Sequence, residues 1–208
     1  LITSDEGAQA ILQNDCQDGT PDDARVRRRP DGTVAEITSE FVNTGSVKTD
    51  GMDVSIAYTI DSFSYFDAIN LSLGATYVNK FEVQTDSDSA KFDGAGSRNF
   101  SNQFRSMPKL RGNLGVKFEK GVHTLSTQLR YIDGYENDQS DTQIDSFLTL
   151  DSQYSIQLFQ DRTRFSMGVK NLLDEEPPTL GESVRPGYDN VIHNVLGRTL
   201  YMSLTQSF

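Results

Sequence analysis

The chain has 208 residues, of which 36% are hydrophobic, with no tryptophan, 16 glycines, 12 phenylalanines, 8 tyrosines and a net charge of −11. That charge excludes a nucleic-acid partner, which calls for a basic face, and the lack of any apolar run near 18 residues excludes a membrane helix. The single cysteine, Cys16, excludes an internal disulfide framework and a zinc site of several thiolates, and reads as an unpaired loop residue.

The first ten residues, LITSDEGAQA, have neither the basic nor the apolar region of a signal peptide. Strand patterning starts near residue 38. Met52, Val54, Ile56, Tyr58 and Ile60 alternate with Asp53, Ser55, Ala57 and Thr59, and Ile69, Leu71, Leu73, Ala75 and Tyr77 alternate with Asn70, Ser72, Gly74 and Thr76. A period of two is that of a strand with one apolar face.

After a polar stretch at about 84–105 the pattern resumes at Leu110, Leu114, Val116 and Phe118, turns at Glu119-Lys120-Gly121, and returns through Leu125, Leu129 and Tyr131. A second polar stretch, 133–145, precedes Leu148, Leu150, Tyr154, Ile156 and Leu158. A turn at Asp161-Arg162 leads to Phe165, Met167 and Val169, and a third polar stretch, 175–196, leads to a last run ending on Phe208. The reading is all-β, with about seven strands of ten or more residues each, against a mean of about 5 to 6 in soluble proteins.

Short turns alternate with long polar loops, the arrangement of an outer-membrane barrel whose long loops face outward. The apolar face of residues 52–60 spans eight steps, roughly 26 Å at about 3.3 Å each, and a tilt near 40° leaves roughly 20 Å of height. A membrane band is about 25 Å tall. The opposite face carries Asp53, Arg111, Lys117, Arg130, Asp151, Arg164 and Lys170, which suits a wet lumen. The acidic excess sits in the loops, with five acids and no base in 133–145.

Three segments are specific. FVNTGSVKTDGMDVSIAY (41–58) resembles the "N-x-G … G-[IV]-[DE]" strand of TonB-dependent outer-membrane receptors, VKNLLDEEPP (169–178) resembles their "NLFD/NLLD…PP" segment, and GRTLYMSLTQSF (197–208) resembles their closing "GR-x-[FY]" strand. Each also has a local reading: Gly51 permits a bulge or close lateral packing, and Pro177-Pro178 cannot donate ladder hydrogen bonds. The resemblance implies an antiparallel transmembrane β-barrel of 22 strands around a plug. About seven carboxy-terminal strands lie here, with the plug and earlier strands absent, and an odd number with ends on opposite sides does not close a barrel.

On that reading residues 1–37 form an extracellular loop, 38–208 form barrel strands, and the loops near 84–105, 133–145 and 175–196 are extracellular. Some relatives carry paired loop cysteines where this chain has Cys16 alone. The cluster Arg25, Arg27, Arg28 and Arg29 reads as solvated ion pairs rather than an anion site.

The function the resemblance implies is TonB-dependent active uptake of a scarce nutrient, a ferric siderophore, an oligosaccharide, cobalamin or similar, across the bacterial outer membrane, where the chain is multi-pass. The alternative is a passive porin or structural barrel. Expected partners are outer-membrane lipid, TonB with ExbB and ExbD through the plug, the barrel-assembly machinery, a small-molecule or oligosaccharide ligand, and a surface lipoprotein; no nucleic acid and no cofactor are expected.

No catalytic motif links Ser, Asp and His, so an enzyme is not expected; His123 reads as an interfacial ring and His193 as a loop residue. The acidic loops do not match EF-hand spacing, and no metal site is assigned. Phe100, Phe104, Tyr135 and Tyr188 are the candidate ligand-stacking aromatics. Phe208, the terminal aromatic, is the candidate assembly signal, and Tyr201 is an inward exception in the last strand, a candidate plug contact.

Overall fold

The computed structural model describes residues 2–5, 11–12, 15, 23–38, 41–84, 90–98, 106–137, 142–159, 162–180 and 187–207. Cys16, Phe100, Phe104 and Phe208 lie outside the described residues. Two compact units are present: Leu1–Lys48 with Glu82–Phe92, and Thr49–Phe81 with Asp93–Phe208. Among the described residues no helix is long and apolar enough to cross a membrane.

In the first unit the strand Ile2–Asp5 pairs antiparallel with the start of strand β1 (Phe41–Asp61), Asp5 lying opposite Phe41. A hairpin joins Val26–Arg28 to Val34–Ile37. Its tip is fixed by Gly32 at φ 84° and by Asp31, which accepts hydrogen bonds from the Thr33 amide and hydroxyl. Three arginines of the cluster are engaged in ion pairs, Arg25 with Asp23 at 2.6 Å, Arg27 with Glu36 at 2.7 Å and Arg28 with Asp15 at 2.7 Å, and Arg29 donates to the Val34 carbonyl. The hydrogen bonds from Arg25 hold the Asp23 carboxyl down to about 2. One pair departs from the solvated expectation, because Asp15 is buried.

The second unit is an antiparallel meander. β1 is followed by β2 (Ala68–Gln84), β3 (Leu110–Lys120), β4 (His123–Ile132), β5 (Phe147–Leu158), β6 (Thr163–Lys170) and β7 (Thr199–Gln206), each paired with its neighbour in the chain. The last two strands have eight residues each, shorter than the ten or more read from their alternation.

Register places like with like. Leu73, Leu114, Leu129 and Leu150 lie directly opposite one another across four strands, and Phe118, Leu125, Tyr154, Met167 and Met202 do so across five. The alternate residues Gly115, Gln128 and Asp151 form a row on the other face. The apolar face is uncovered: Met52 is 61% exposed and Leu200 76%. Monomeric soluble proteins rarely leave so continuous an apolar face to water.

Short turns close one end of the meander. Asp67 ties two of them together, accepting a hydrogen bond from the Gly121 amide at 2.6 Å and from Lys120 Nζ at 2.9 Å. Gly121 itself stands at φ 55°, as a two-residue hairpin turn demands of its first central residue. At the same end His123, on the apolar face, meets the Tyr154 hydroxyl through Nδ1 at 2.5 Å and stacks on its ring.

The connections at the other end hold more structure than their polar composition suggests. Ser97–Arg98, Ser106–Met107, Tyr135–Asn137 and Thr142–Ile144 form a separate small sheet, with Tyr135–Asn137 running parallel to Ser97–Arg98. Strands of two or three residues are too short to display a period, and their partners lie far along the chain, so local sequence carries no sign of them. Gly51 makes the close lateral approach expected of it: a side chain there would run into the Tyr77 carbonyl.

Candidate functional site

The polar face is densest in charge toward the long connections. Arg130 Nη1 donates to Asp151 Oδ2 at 2.7 Å, Arg130 Nη2 donates to Gln128 Oε1 at 3.1 Å, and Asp151 Oδ1 accepts the Asn171 amide at 2.9 Å. Asp151 is thus engaged through both oxygens. Lys170, at the end of β6, has no ion pair among the described residues; its Nζ lies 5.9 Å from the centre of the Tyr201 ring.

The connection between β6 and β7 comes back over this wall. Ile192, Asn194 and Leu196 meet Arg130, Asp151, Lys170 and Asn171 around a cavity of about 300 Å³, with Ile132 and Phe147 completing its apolar side. A wider recess of about 620 Å³ continues along the polar face past Gln128, Gln153 and Tyr201. The smaller cavity falls within the size range of small-molecule sites, about 300 to 1,000 Å³.

Two of the specific sequence segments position this wall. Asn171 and Asp174 stand at φ 50° and 59°, a conformation that Asn and Asp tolerate better than most residues. The Asn171 side chain donates to the Glu175 carbonyl at 2.8 Å and accepts the Glu175 amide at 3.0 Å, fixing the turn that ends β6. Asp174 Oδ1 accepts the Arg198 amide at 2.7 Å, and Arg198 Nη2 lies 3.5 Å from Asp174 Oδ2. The NLLD turn and the GR dipeptide, 24 positions apart between Asp174 and Arg198, therefore clamp β6 to β7 and define where the returning connection begins and ends.

A second polar cluster is buried within the long connections. Asp189 is 1% exposed and accepts hydrogen bonds through Oδ2 from the Ser106 and Tyr135 hydroxyls, and through Oδ1 from the Val191 amide at 3.1 Å. Arg98 Nε is 3.6 Å from the same carboxylate and Arg98 Nη1 donates to Asn137. Tyr135, also 1% exposed, lies 3.1 Å from His193 Nε2 and stacks on that ring, while Phe147 meets it edge-on.

The protonation pattern follows. The Tyr135 proton is directed at the carboxylate, so His193 donates from Nε2 to the phenol oxygen, and its Nδ1 is left without a partner. Burial, then the Asp189 charge, push the Tyr135 phenol well above its ordinary range. Burial lowers His193 below its ordinary 6.5, against the pull of Asp189.

This cluster does not have the geometry of nucleophilic catalysis. A triad needs the imidazole between nucleophile and acid; here Ser106 and Tyr135 both bond the acid directly, and the imidazole stands behind Tyr135. What the cluster does is join three connections at one carboxylate. Among the described residues no group of three or more His, Cys, Asp or Glu side chains is placed to hold a metal.

The sequence profile of the family described as TonB dependent receptor-like, beta-barrel matches residues 9–172. The chain belongs to this family. Its TonB-dependent receptor-like barrel accounts for the antiparallel meander, the apolar face and the long connections at one end, and barrels of this family are outer-membrane transport proteins. The match ends inside NLLDEEPP, so the resemblance of residues 197–208 to a closing strand stands outside it. No curated protein matches the chain.

The structure separates the aromatic candidates. Tyr135 lies inside the buried cluster with its hydroxyl committed to Asp189, whereas Tyr188 is half-buried in a bridge to Thr179. Tyr201 is on the polar face as read, but its ring lies across Gly168 and its hydroxyl donates to Gln153 Oε1 at 2.8 Å. Sequence reading saw Arg130, Asp151 and Lys170 only as lumen charges. Their assembly with Ile192 and Leu196 depends on the path of a long connection, for which alternation holds no information.

Proposed function

We propose that this barrel serves active uptake of a scarce nutrient, energised by TonB with ExbB and ExbD through a plug encoded upstream. The observation that supports it is the two-faced meander, uncovered apolar on one side and polar with charged residues on the other, within a chain of the TonB-dependent receptor family. In this reading the apolar face meets outer-membrane lipid, the polar face lines the lumen, and the long connections, with residues 1–37, stand outside the cell. The ligand is a ferric siderophore, cobalamin, an oligosaccharide or a similar nutrient, met at the outer mouth by the Lys170 cavity and by Tyr188, with Phe100 and Phe104 as further stacking candidates. A surface lipoprotein is a partner for a large ligand, and the barrel-assembly machinery reads Phe208. The chain acts as a transporter and not as an enzyme.

The test is uptake by cells carrying the full gene, with and without a protonophore. Accumulation that stops when the gradient collapses, and stops equally on deletion of TonB, is the expected outcome. Uptake indifferent to both, or a gene with no plug and TonB box before residue 1, overturns the reading.

A further inference from the structure

We infer that the cavity beside Lys170 binds a small organic carboxylate with an apolar body. The case rests on a census of its polar atoms. The one acidic side chain in the wall, Asp151, is satisfied by Arg130 at one oxygen and by the Asn171 amide at the other. The Asn194 side-chain oxygen accepts the Leu196 amide at 2.9 Å, and the Thr199 hydroxyl donates to the Gly197 carbonyl at 3.1 Å. The Asp151 carboxylate and the Asn194 amide oxygen are therefore engaged within the protein, while the Thr149 and Thr199 hydroxyls keep acceptor capacity.

The donors are not so engaged. Lys170 carries three N–H donors and no ion pair among the described residues, and the Asn194 amide nitrogen has none of its hydrogens engaged there. With Arg130 neutralised by Asp151, the described residues of the lining carry one positive charge in excess, which matches a monoanion. Lys170 is exposed, so its ammonium stays hydrated and attracts an anion through a field that salt screens.

Size and lining fix the rest of the ligand. About 300 Å³ holds roughly ten water-sized groups at about 30 Å³ each. Ile132, Phe147, Ile192 and Leu196 belong to the same lining as the donors, so the body of the ligand is apolar or aromatic and its carboxylate points at Lys170. The inference rests on the uptake reading for its biological sense, in that the cavity seats one carboxylate-bearing apolar part of the nutrient, but its test does not use transport.

The experiment titrates benzoate and its neutral analogue benzamide into the full-length receptor in detergent, followed by saturation-transfer NMR. The expected result is benzoate binding with a dissociation constant of about 1 mM, an ordinary value for so small a ligand, and benzamide at least about tenfold weaker, one charge-assisted contact apart. Lys170→Met is expected to weaken benzoate about tenfold and leave benzamide unchanged, while Lys170→Arg retains benzoate within about threefold. Asn194→Ala, outside the hydrogen-bonded strand ladder, is expected to weaken benzoate severalfold without removing a ladder bond. Equal binding of the two probes, benzoate binding indifferent to Lys170→Met, or no benzoate binding at 10-fold above the expected constant would each overturn the inference. Those results leave energised uptake standing, and failure of energised uptake leaves the binding result standing.

Discussion

At the scale of single residues, the contact between Gly168 and Tyr201 shows how one strand dictates the composition of its neighbour. The two lie directly opposite in the β6–β7 ladder, and a β-carbon on Gly168 would stand 2.5 Å from the Tyr201 ring. A glycine weakens a strand by leaving backbone uncovered, and an aromatic ring laid across it restores the cover. The sequence marked Tyr201 as an inward exception, a candidate plug contact, because a bulky ring breaks the run of Thr, Ser and Thr on that face. What it could not show is that the hydroxyl end of the ring lies over Gly168 and is held there by Gln153. Gly168→Val should therefore displace the ring and cost about 1 to 3 kcal/mol, the usual penalty of overpacking, measured by urea unfolding of the receptor refolded in detergent. Tyr201→Ala alone should also destabilise, yet the double variant should be less destabilised than the sum of the two. Additive losses would show that the ring and the glycine do not depend on each other.

At the scale of elements, the connections at the long-loop end behave as a joined platform because Asp189, Tyr135, Ser106 and His193 come from three of them. The pH dependence of that platform has a definite sign. Burial keeps the His193 pKa below 6.5, so an opened platform takes up the proton more readily than a closed one. Closure is at full strength above about 6.5 and weakens as the pH falls below it toward the depressed folded value; Asp189 moderates the loss and the Arg111 charge adds to it. Amide exchange of residues 133–137 and 187–193, corrected for the intrinsic rate, should rise between pH 7.5 and pH 5.5, and His193→Gln should flatten that dependence. An unchanged exchange profile in the wild-type chain would refute the coupling. The long strands were legible because alternation is a local signal repeated over many residues, and the short turns because Gly121 and its neighbours carry turn chemistry. The platform and the Lys170 cavity were not, because Asp189 lies 83 positions from Ser106 and 54 from Tyr135. The one long-range link within reach of sequence was the NLLD and GR pair, whose meaning as a clamp emerged from the Asp174 to Arg198 contacts.

At the scale of the molecule, the two faces make opposite demands, and substitutions separate a barrel wall in lipid from a sheet in water. Leu114 sits between Leu73 and Leu129 in the leucine row and is 43% exposed. In water, a charge at so exposed a position is nearly neutral for stability. In lipid, an arginine on the outward face costs about 2 to 4 kcal/mol near the midplane. The matched control is Ser72→Arg, exposed on the polar face opposite Gly115, where an added cation meets a wet surface. Leu114→Arg is therefore expected to lower the unfolding free energy in lipid vesicles by about 2 kcal/mol or more, and Ser72→Arg by less than about 0.5 kcal/mol. Comparable effects from both would remove the distinction between the faces on which the membrane reading stands. Deletion of Phe208 probes a different step, since it leaves the paired strand residues unchanged: it should reduce the amount of receptor inserted, by surface labelling of cells, while the receptor that does insert keeps its unfolding midpoint. Undiminished surface levels would take the assembly signal away from the terminal aromatic and leave the lipid-facing row untouched. A barrel that meets both outcomes owes its stability to the apolar rows and its delivery to the end of the chain, two properties that the same alternating strand encodes in different residues.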